Sequence, residues 1–169
     1  MTKRPKSDEQ NAPSKYTTFY LVMLILTTIS VGFGLLSLGS IGTTIKYFDT
    51  APLFAGLTLV QYAVTLLMVT ALVYLYKKKE LGLHFLISSY GLTTICMIIF
   101  PIAAQPLVHE SAAQVVAENK GKITIDFATN ILQVTFISIA VASAFMSILF
   151  AVLWYFAWKK QVKQDNNTI

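Results

Sequence analysis

Long apolar segments without charge, separated by short polar stretches, dominate the pattern of this chain. Four segments contain no Asp, Glu, Lys or Arg, and they cover residues 18–38, 52–76, 81–104 and 127–158. Each reaches the ~20 residues that a helix needs to cross the hydrocarbon core of a bilayer. The pattern therefore predicts an all-α polytopic membrane protein, whose transmembrane domain at residues 17–158 is a bundle of four transmembrane helices.

The composition supports a membrane protein and argues against a nucleic-acid partner. Of the 169 residues, 55% are hydrophobic and only 12% are charged, whereas soluble domains have roughly 25% charged residues. The net charge of +5 does not indicate nucleic-acid binding, because the Lys and Arg residues cluster at the ends of the predicted helices. The predicted surroundings are therefore a lipid bilayer. Cys96 is the only cysteine, so no disulfide can form within the chain.

The basic residues predict the orientation of the bundle. With four spans, ten of the thirteen Lys and Arg residues fall on one side: Lys3, Arg4, Lys6, Lys15, Lys77, Lys78, Lys79, Lys159, Lys160 and Lys163. Positive residues are enriched on the cytoplasmic side of membrane proteins. We therefore expect both termini in the cytoplasm, as a polar tail at 1–16 and a basic tail at 159–169, both mobile. The outer loops would be 39–51 and 105–126, the second containing a short helix from Glu110 that stops at Gly121.

Polar side chains inside the predicted spans are the first candidates for a functional site. The candidates for polar contacts within the membrane are Gln61, Ser89, Ser143 and His84. A buried amide or hydroxyl needs a hydrogen-bond partner, so these groups either join helices to each other or form a polar track for a substrate. For His84, one turn inside the third span, we weigh a proton-handling role against a position at the interface with the headgroups. In both cases we favour the structural interpretation.

Small residues at helical spacing form a second candidate feature. They lie on the first and fourth predicted helices: Ser30, Gly34, Ala140, Ala144 and Ser147. Such residues allow two helix backbones to approach closely. The stripes would pack the bundle or face a partner, either another membrane protein or a second copy of this chain, and we favour packing within the bundle.

The outer loop holds the remaining candidates, His109, Glu110 and Asp126. Their spacing matches no recognised metal-binding pattern, so we predict neither a metal nor a cofactor. The chain also lacks a Gly-x-Ser-x-Gly elbow, a His-Glu-x-x-His motif, a P-loop and a dinucleotide fingerprint. Catalysis would require these three loop residues to converge.

Two segments next to predicted spans resemble a bacterial family. Residues 75–87, Leu-Tyr-Lys-Lys-Lys-Glu-Leu-Gly-Leu-His-Phe-Leu-Ile, and residues 155–163, Tyr-Phe-Ala-Trp-Lys-Lys-Gln-Val-Lys, are similar to segments of the small four-helix membrane proteins called domain of unknown function 2569. The sequence departs from that family at Gln161, where the family has Arg, and at Trp154, where it often has Pro. The resemblance implies a bacterial plasma (inner) membrane protein and implies no activity.

Three functional hypotheses remain open from the sequence. The first is a non-enzymatic accessory, regulatory or protective protein that binds another membrane component, and it fits the missing catalytic groups. The second is an oligomeric transporter or channel for small solutes, in which Gln61, Ser89 and Ser143 would line one cavity. The third is a membrane enzyme that acts on lipid or an envelope intermediate. We favour the first.

Overall fold

The structure, a computed structural model, describes residues 16–119 and 122–166. Within these residues the chain forms six α-helices and no strand: α1 Thr18–Ser37, α2 Ile41–Lys46, α3 Pro52–Tyr76, α4 Glu80–Ala103, α5 Gln105–Glu118 and α6 Ile125–Asn166. A 3-10 turn, Leu38–Ser40, joins α1 to α2. The predicted N-terminal tail up to residue 15 and the predicted helix stop at Gly121 lie outside the described residues.

The predicted fold class is confirmed. Four helical stretches are long and apolar enough to cross a membrane: Thr18–Lys46, Pro52–Tyr76, Glu80–Ala103 and Ile125–Asn166. The described part of the chain therefore has the architecture of a multi-pass, all-α membrane protein. Pro52 occupies the first position of α3, where its missing N–H would have had no partner within the helix.

The connection between α1 and α3, which we expected to be an outer loop at 39–51, is mostly helical. Its hydroxyl groups donate hydrogen bonds to carbonyls about one turn earlier. Ser37 Oγ donates to Gly34 O at 2.6 Å, Ser40 Oγ to Ser37 O at 2.6 Å, and Thr44 Oγ1 to Ser40 O at 3.2 Å. The chain therefore leaves α1 through a 3-10 turn and the short helix α2.

Helix α6 continues to Asn166, so the C-terminal residues 159–166 are helical and not the mobile tail that we expected. Gln161 is the reason: its side chain is only 1% exposed. Its Oε1 accepts a hydrogen bond from the backbone N–H of Thr17 at 2.7 Å, and its Nε2 donates to Asp165 Oδ1 at 3.0 Å. These bonds anchor the end of α6 to the start of α1.

Helix α5, Gln105–Glu118, begins immediately after α4, five residues before the short outer helix that we expected from Glu110. Pro106 lies in its first turn, where a proline is tolerated. Val108 and Ala112 are buried, and the helix packs mainly against α6. The connection after α4 therefore begins with a helix that packs against the bundle.

The closest backbone approach around a glycine joins α3 to α4. A Cβ atom on Gly82 would lie 2.8 Å from both Ala71 O and Leu75 N. Atoms of the backbone cannot move aside as side chains do, so only glycine permits this spacing. The two helices are connected by a short turn in which Lys78 has a positive φ of 52°, and they pack antiparallel along their length.

The core is concentrated at the end of the bundle where α1 begins and α6 ends. Tyr20, Leu75, Leu86 and Trp154 are fully buried there. Trp154 Nε1 donates to Thr27 Oγ1 at 2.8 Å, and Tyr20 Oη donates to Leu75 O at 2.8 Å. This end is therefore joined by hydrogen bonds between helices as well as by apolar packing.

Helix α1 contacts the bundle mainly through its first half. Its buried residues are Tyr20, Met23, Leu24, Thr27 and Val31. Beyond them, Phe33 and Leu36 are 70% and 76% exposed. A space lies between this second half of α1, α3 and α4, and it forms the candidate site.

Candidate functional site

A cavity of about 460 Å³ lies between the second half of α1, the first half of α3 and the second half of α4. We call it the Gln61 cavity. Its lining consists of Gly34, Ser37, Ser40, Phe54, Leu57, Thr58, Gln61, Tyr62, Thr65, Cys96, Met97 and Phe100. Its volume falls within the ~300–1,000 Å³ that is typical of sites for small molecules.

The side chain of Gln61 distinguishes this cavity from a simple packing defect. Its Nε2 atom is buried and has no hydrogen-bond partner among the described residues. A buried amide donor without a partner costs about 1–3 kcal/mol. The wall of the cavity therefore includes an amide whose hydrogen-bonding capacity the described residues do not fully use.

The other polar groups of the lining already have partners. Thr58 Oγ1 donates to Phe54 O at 2.9 Å, and Thr65 Oγ1 donates to Gln61 O at 3.0 Å. Each bond returns to a carbonyl four residues earlier on the same helix. Both threonine hydroxyls are therefore engaged within their own helix.

Tyr62 closes one side of the cavity through a small cluster of hydroxyl groups. Its Oη atom lies 2.8 Å from Ser40 Oγ and 3.0 Å from Thr44 Oγ1. These contacts fix the 3-10 turn and α2 against α3. They attach the segment that follows α1 to α3.

Gly34 and Thr65 close the cavity at its deeper end. A Cβ atom on Gly34 would lie 2.9 Å from Thr65 Cγ2, so the glycine allows α1 and α3 to touch at this level. At the other end Phe54 contacts Phe100, with ring centroids 5.8 Å apart. The cavity therefore extends along the helices between a helix contact and an aromatic pair.

The electrostatic character of the cavity is neutral. The twelve lining residues, all of which the structure describes, include no Asp, Glu, Lys, Arg or His. An ion bound here would lose its hydration without gaining a counter-charge, which is strongly unfavourable in hydrocarbon. Cys96 is a buried thiol with no base among the other lining residues. The arrangement can bind an uncharged molecule, but it offers no acid–base pair.

The other polar candidates within the spans lie elsewhere. Ser89 is fully buried and its Oγ donates to Phe85 O at 2.8 Å, while Ser143 O accepts a hydrogen bond from Ser147 Oγ at 2.9 Å. Neither Ser89 nor Ser143 belongs to the lining of the Gln61 cavity. The structure thus does not bring the three predicted residues together in this cavity.

His84 lies on the surface of α4. Its side chain is 68% exposed, and its Nε2 atom lies 3.8 Å from Glu80 Oε1, one turn earlier on the helix. This placement agrees with the interfacial interpretation of the residue. The proton-handling alternative gains no support, since the ring does not face the interior of the bundle.

The small residues of the two stripes face different neighbours. Gly34 meets Thr65 of α3, whereas Ser30 and Ser147 line a small pocket of about 180 Å³ between α1, α4 and α6. Ala140 and Ala144 lie on the face of α6 that meets α4. Gly34 therefore packs within the bundle, while the other four residues line gaps between its helices, and their role in packing stays a prediction.

The outer-loop candidates remain at the surface. His109, Glu110 and Asp126 are all exposed. Within residues 16–119 and 122–166, no three His, Cys, Asp or Glu side chains are grouped so that they could hold a metal ion. His109 lines a shallow pocket beside Pro52 and Pro106, whereas Glu110 and Asp126 do not line it.

One set of polar contacts was not identified from the sequence, and it lies at the end with the termini. Tyr16 Oη donates to Tyr76 O at 2.8 Å, and Lys78 Nζ contacts both Asp165 Oδ1, at 2.8 Å, and the Tyr16 ring, at 5.3 Å. The four-residue spacing of Gln161 and Asp165 is the signal that α6 continues this far, because it places both side chains on one helix face.

Comparisons of the chain with protein-family models, with curated proteins and with solved structures find no match. The resemblance of residues 75–87 and 155–163 to domain of unknown function 2569 stays a prediction. The Gln61 cavity is consequently interpreted from its own chemistry.

Proposed function

We propose that this protein is a non-enzymatic membrane protein that acts by binding another membrane component in the Gln61 cavity. The observation that supports this function is a neutral cavity of about 460 Å³ whose wall includes Gln61, an amide whose buried Nε2 atom has no hydrogen-bond partner among the described residues. A binding role fits better than catalysis because the lining offers no carboxylate, imidazole or amine to move a proton. An accessory or protective role follows if binding removes the component from the bilayer or presents it to a partner.

The placement of the chain in the cell is part of the same proposal. We place it in a bacterial plasma membrane, as a member of the family that residues 75–87 and 155–163 resemble, with both termini in the cytoplasm. In a Cys96→Ala background, a cysteine at exposed Ala113 should react with an impermeant thiol reagent in intact cells, and one at exposed Glu80 should not. The reverse labelling would overturn this orientation.

A cavity-filling substitution tests the binding function directly. Thr58→Phe places a ring in the Gln61 cavity, because Thr58 is a lining residue. Thr135→Phe is the matched control: it is exposed on α6, and its hydroxyl also donates to a carbonyl four residues earlier. Native mass spectrometry of each protein, released from its own membranes in mild detergent, reports bound molecules of discrete mass.

We expect the wild type and Thr135→Phe to retain a bound small molecule that Thr58→Phe lacks. A lost hydroxyl affects both variants equally, so only occupation of the cavity separates them. Retention of the same molecule by Thr58→Phe, or its absence from the wild type, would contradict a binding function for this cavity.

A further inference from the structure

Three lysines near the end of α6 carry positive charge that the described residues do not neutralise. The side chains of Lys159, Lys160 and Lys163 are exposed, and none of them belongs to an ion pair or a hydrogen bond within residues 16–119 and 122–166. Lys78, in the turn between α3 and α4, instead pairs with Asp165 at 2.8 Å. The charge on α6 can therefore attract a partner from outside the chain.

The opposite face of this helix end is fixed to the bundle. Trp154 and Gln161 are buried, and Gln161 Oε1 accepts the hydrogen bond from the backbone N–H of Thr17 at 2.7 Å. Successive residues of an α-helix turn by about 100°, so Lys159 and Lys163 lie on the side of α6 that points away from the bundle. The fold therefore sets the direction of both lysines, although their side chains are exposed.

The two lysines continue a stripe of α6 that faces lipid. Phe145, Val152 and Phe156 are 65%, 46% and 56% exposed, and their spacing places them on one face of the helix. Lys159 and Lys163 follow Phe156 on the same face, at the same three- and four-residue spacing. A molecule that lies along this stripe therefore meets apolar side chains first and then two ammonium groups.

The lysines lie at the depth of the lipid headgroups. Trp158 ends the uncharged segment and Lys159 follows it directly, while Lys163 lies about 6 Å farther along the helix axis. The headgroup layer on each side of the hydrocarbon core is about 5–7 Å thick. Lysine side chains lay their apolar stems along apolar surface and keep the charged end among the headgroups. Both ammonium groups therefore reach the level of the lipid phosphates.

The balance of charge at this end selects an anionic headgroup. Among the described residues it combines six lysines with two carboxylates: Lys77, Lys78, Lys79, Lys159, Lys160, Lys163, Glu80 and Asp165. The other end combines two lysines with four carboxylates: Lys46, Lys122, Asp49, Glu110, Glu118 and Asp126. Lysines near a membrane surface attract anionic lipids, whereas a zwitterionic headgroup brings its own cation to a surface that is already positive. An anionic phospholipid is therefore the membrane component that fits this end.

We propose that Lys159 and Lys163 bind the headgroup of an anionic phospholipid, one of whose acyl chains lies along Val152 and Phe156. The site is separate from the Gln61 cavity, whose lining contains no residue of α6. The bound lipid and the hydrogen bond of Gln161 hold opposite faces of the same helix end.

Two lipids that differ only in their headgroup test the assignment. Dioleoyl phosphatidylglycerol is anionic, and dioleoyl phosphatidylcholine has the same acyl chains and no net charge. Each is titrated into the full-length protein in a mild neutral detergent after removal of its own lipid, and native mass spectrometry gives the apparent Kd of the first bound lipid. The variant is Lys159→Gln with Lys163→Gln. Lys46→Gln with Lys122→Gln is the matched control, because it removes the same charge from exposed positions at the other end.

We expect the wild type to bind phosphatidylglycerol about tenfold or more tightly than phosphatidylcholine. The variant at Lys159 and Lys163 should lose at least about fivefold of this preference, since each lysine near the headgroups contributes up to about that factor. The control at Lys46 and Lys122 should keep the preference. Comparing two lipids within each protein cancels any change in overall lipid binding, and a cooperative thermal transition shows that the variant is folded.

The contrary outcomes each overturn a stated part of the site. Equal preference in the wild type and the variant would remove the lysines of α6 from lipid binding. An equal loss in the control would reduce the effect to net charge, and an equal loss in Lys77→Gln with Lys79→Gln would replace the site by the diffuse charge of this end.

Two further arms test the position of the lipid. Thr58→Phe fills the Gln61 cavity and should keep the preference for phosphatidylglycerol; its loss there would place the lipid in that cavity and refute a site on α6. Free glycerol phosphate should fail to displace phosphatidylglycerol, because it has no acyl chain for Val152 and Phe156. Displacement at equal concentration would overturn the role of the apolar stripe.

Discussion

The close approach of α3 and α4 at Gly82 makes a quantitative prediction, because the same helix offers a matched control. In Gly82→Ala the new Cβ would lie 2.8 Å from Ala71 O and from Leu75 N, whereas a Cβ on Gly91 would meet no atom within 4 Å. Both substitutions gain the same intrinsic helix preference, up to about 1 kcal/mol. Only the substitution at Gly82 also overpacks the interface, which costs about 1–3 kcal/mol.

The difference in the free energy of unfolding between the two variants therefore reports the cost of overpacking at Gly82. Gly82→Ala should be less stable than Gly91→Ala by about 1–3 kcal/mol, towards the upper end because the opposing atoms belong to the backbone. For a chain of this size each kcal/mol moves the thermal midpoint by roughly 2–4 °C, so the midpoints should differ by about 2–12 °C.

Cys96 provides the assay for these variants. It is the only cysteine and is buried, so a thiol-reactive fluorescent dye reports unfolding as the thiol becomes accessible on heating. The control is the wild type, which Gly91→Ala should match or slightly exceed in stability. Equal midpoints for the two variants would refute the close approach of α3 and α4 at this position.

The end of the bundle where α1 begins and α6 ends yields three further predictions in the same assay. Trp154→Phe removes the indole N–H that donates to Thr27 Oγ1 and should lower the free energy of unfolding by about 1–3 kcal/mol. Adding Thr27→Val should recover part of this loss. An unchanged thermal midpoint in Trp154→Phe would count against the hydrogen bond. Gln161→Leu removes the acceptor of the Thr17 N–H and should cost a similar amount. Lys78→Ala removes a partly exposed ion pair and should lower the free energy of unfolding by less than ~1 kcal/mol. A larger loss in Lys78→Ala than in Gln161→Leu would show that charge, and not burial, stabilises this end.

The candidate site could be predicted only in part. Gln61 stands out in the sequence because an amide in the interior of an apolar helix requires an explanation. The spacing of residues along the sequence could not show whether Gln61, Ser89 and Ser143 line one cavity, because the three residues lie on different helices. In the structure Ser89 Oγ donates to Phe85 O on its own helix, while Gln61 Nε2 has no partner within the described residues.

The length and number of the spanning helices are properties of local composition. Uncharged segments of about 20 or more apolar residues become helices in hydrocarbon because every backbone N–H and C=O must be satisfied within the segment. For this reason the sequence alone predicted four spans. It did not predict that residues 159–166 are helical, because the bond that anchors them joins Gln161 to Thr17, 144 residues earlier.

The tertiary structure decided which faces of the helices meet and where they separate. Helix α1 packs through Tyr20 and Thr27 near its start and through Gly34 against Thr65 of α3 farther along, and the Gln61 cavity lies between α1, α3 and α4. A stripe of small residues predicts a close contact between two helices, but it does not identify the second helix. The rotation of each helix and its tilt depend on the packing of all four at once, so the position of a polar group relative to the other helices is a property of the whole bundle.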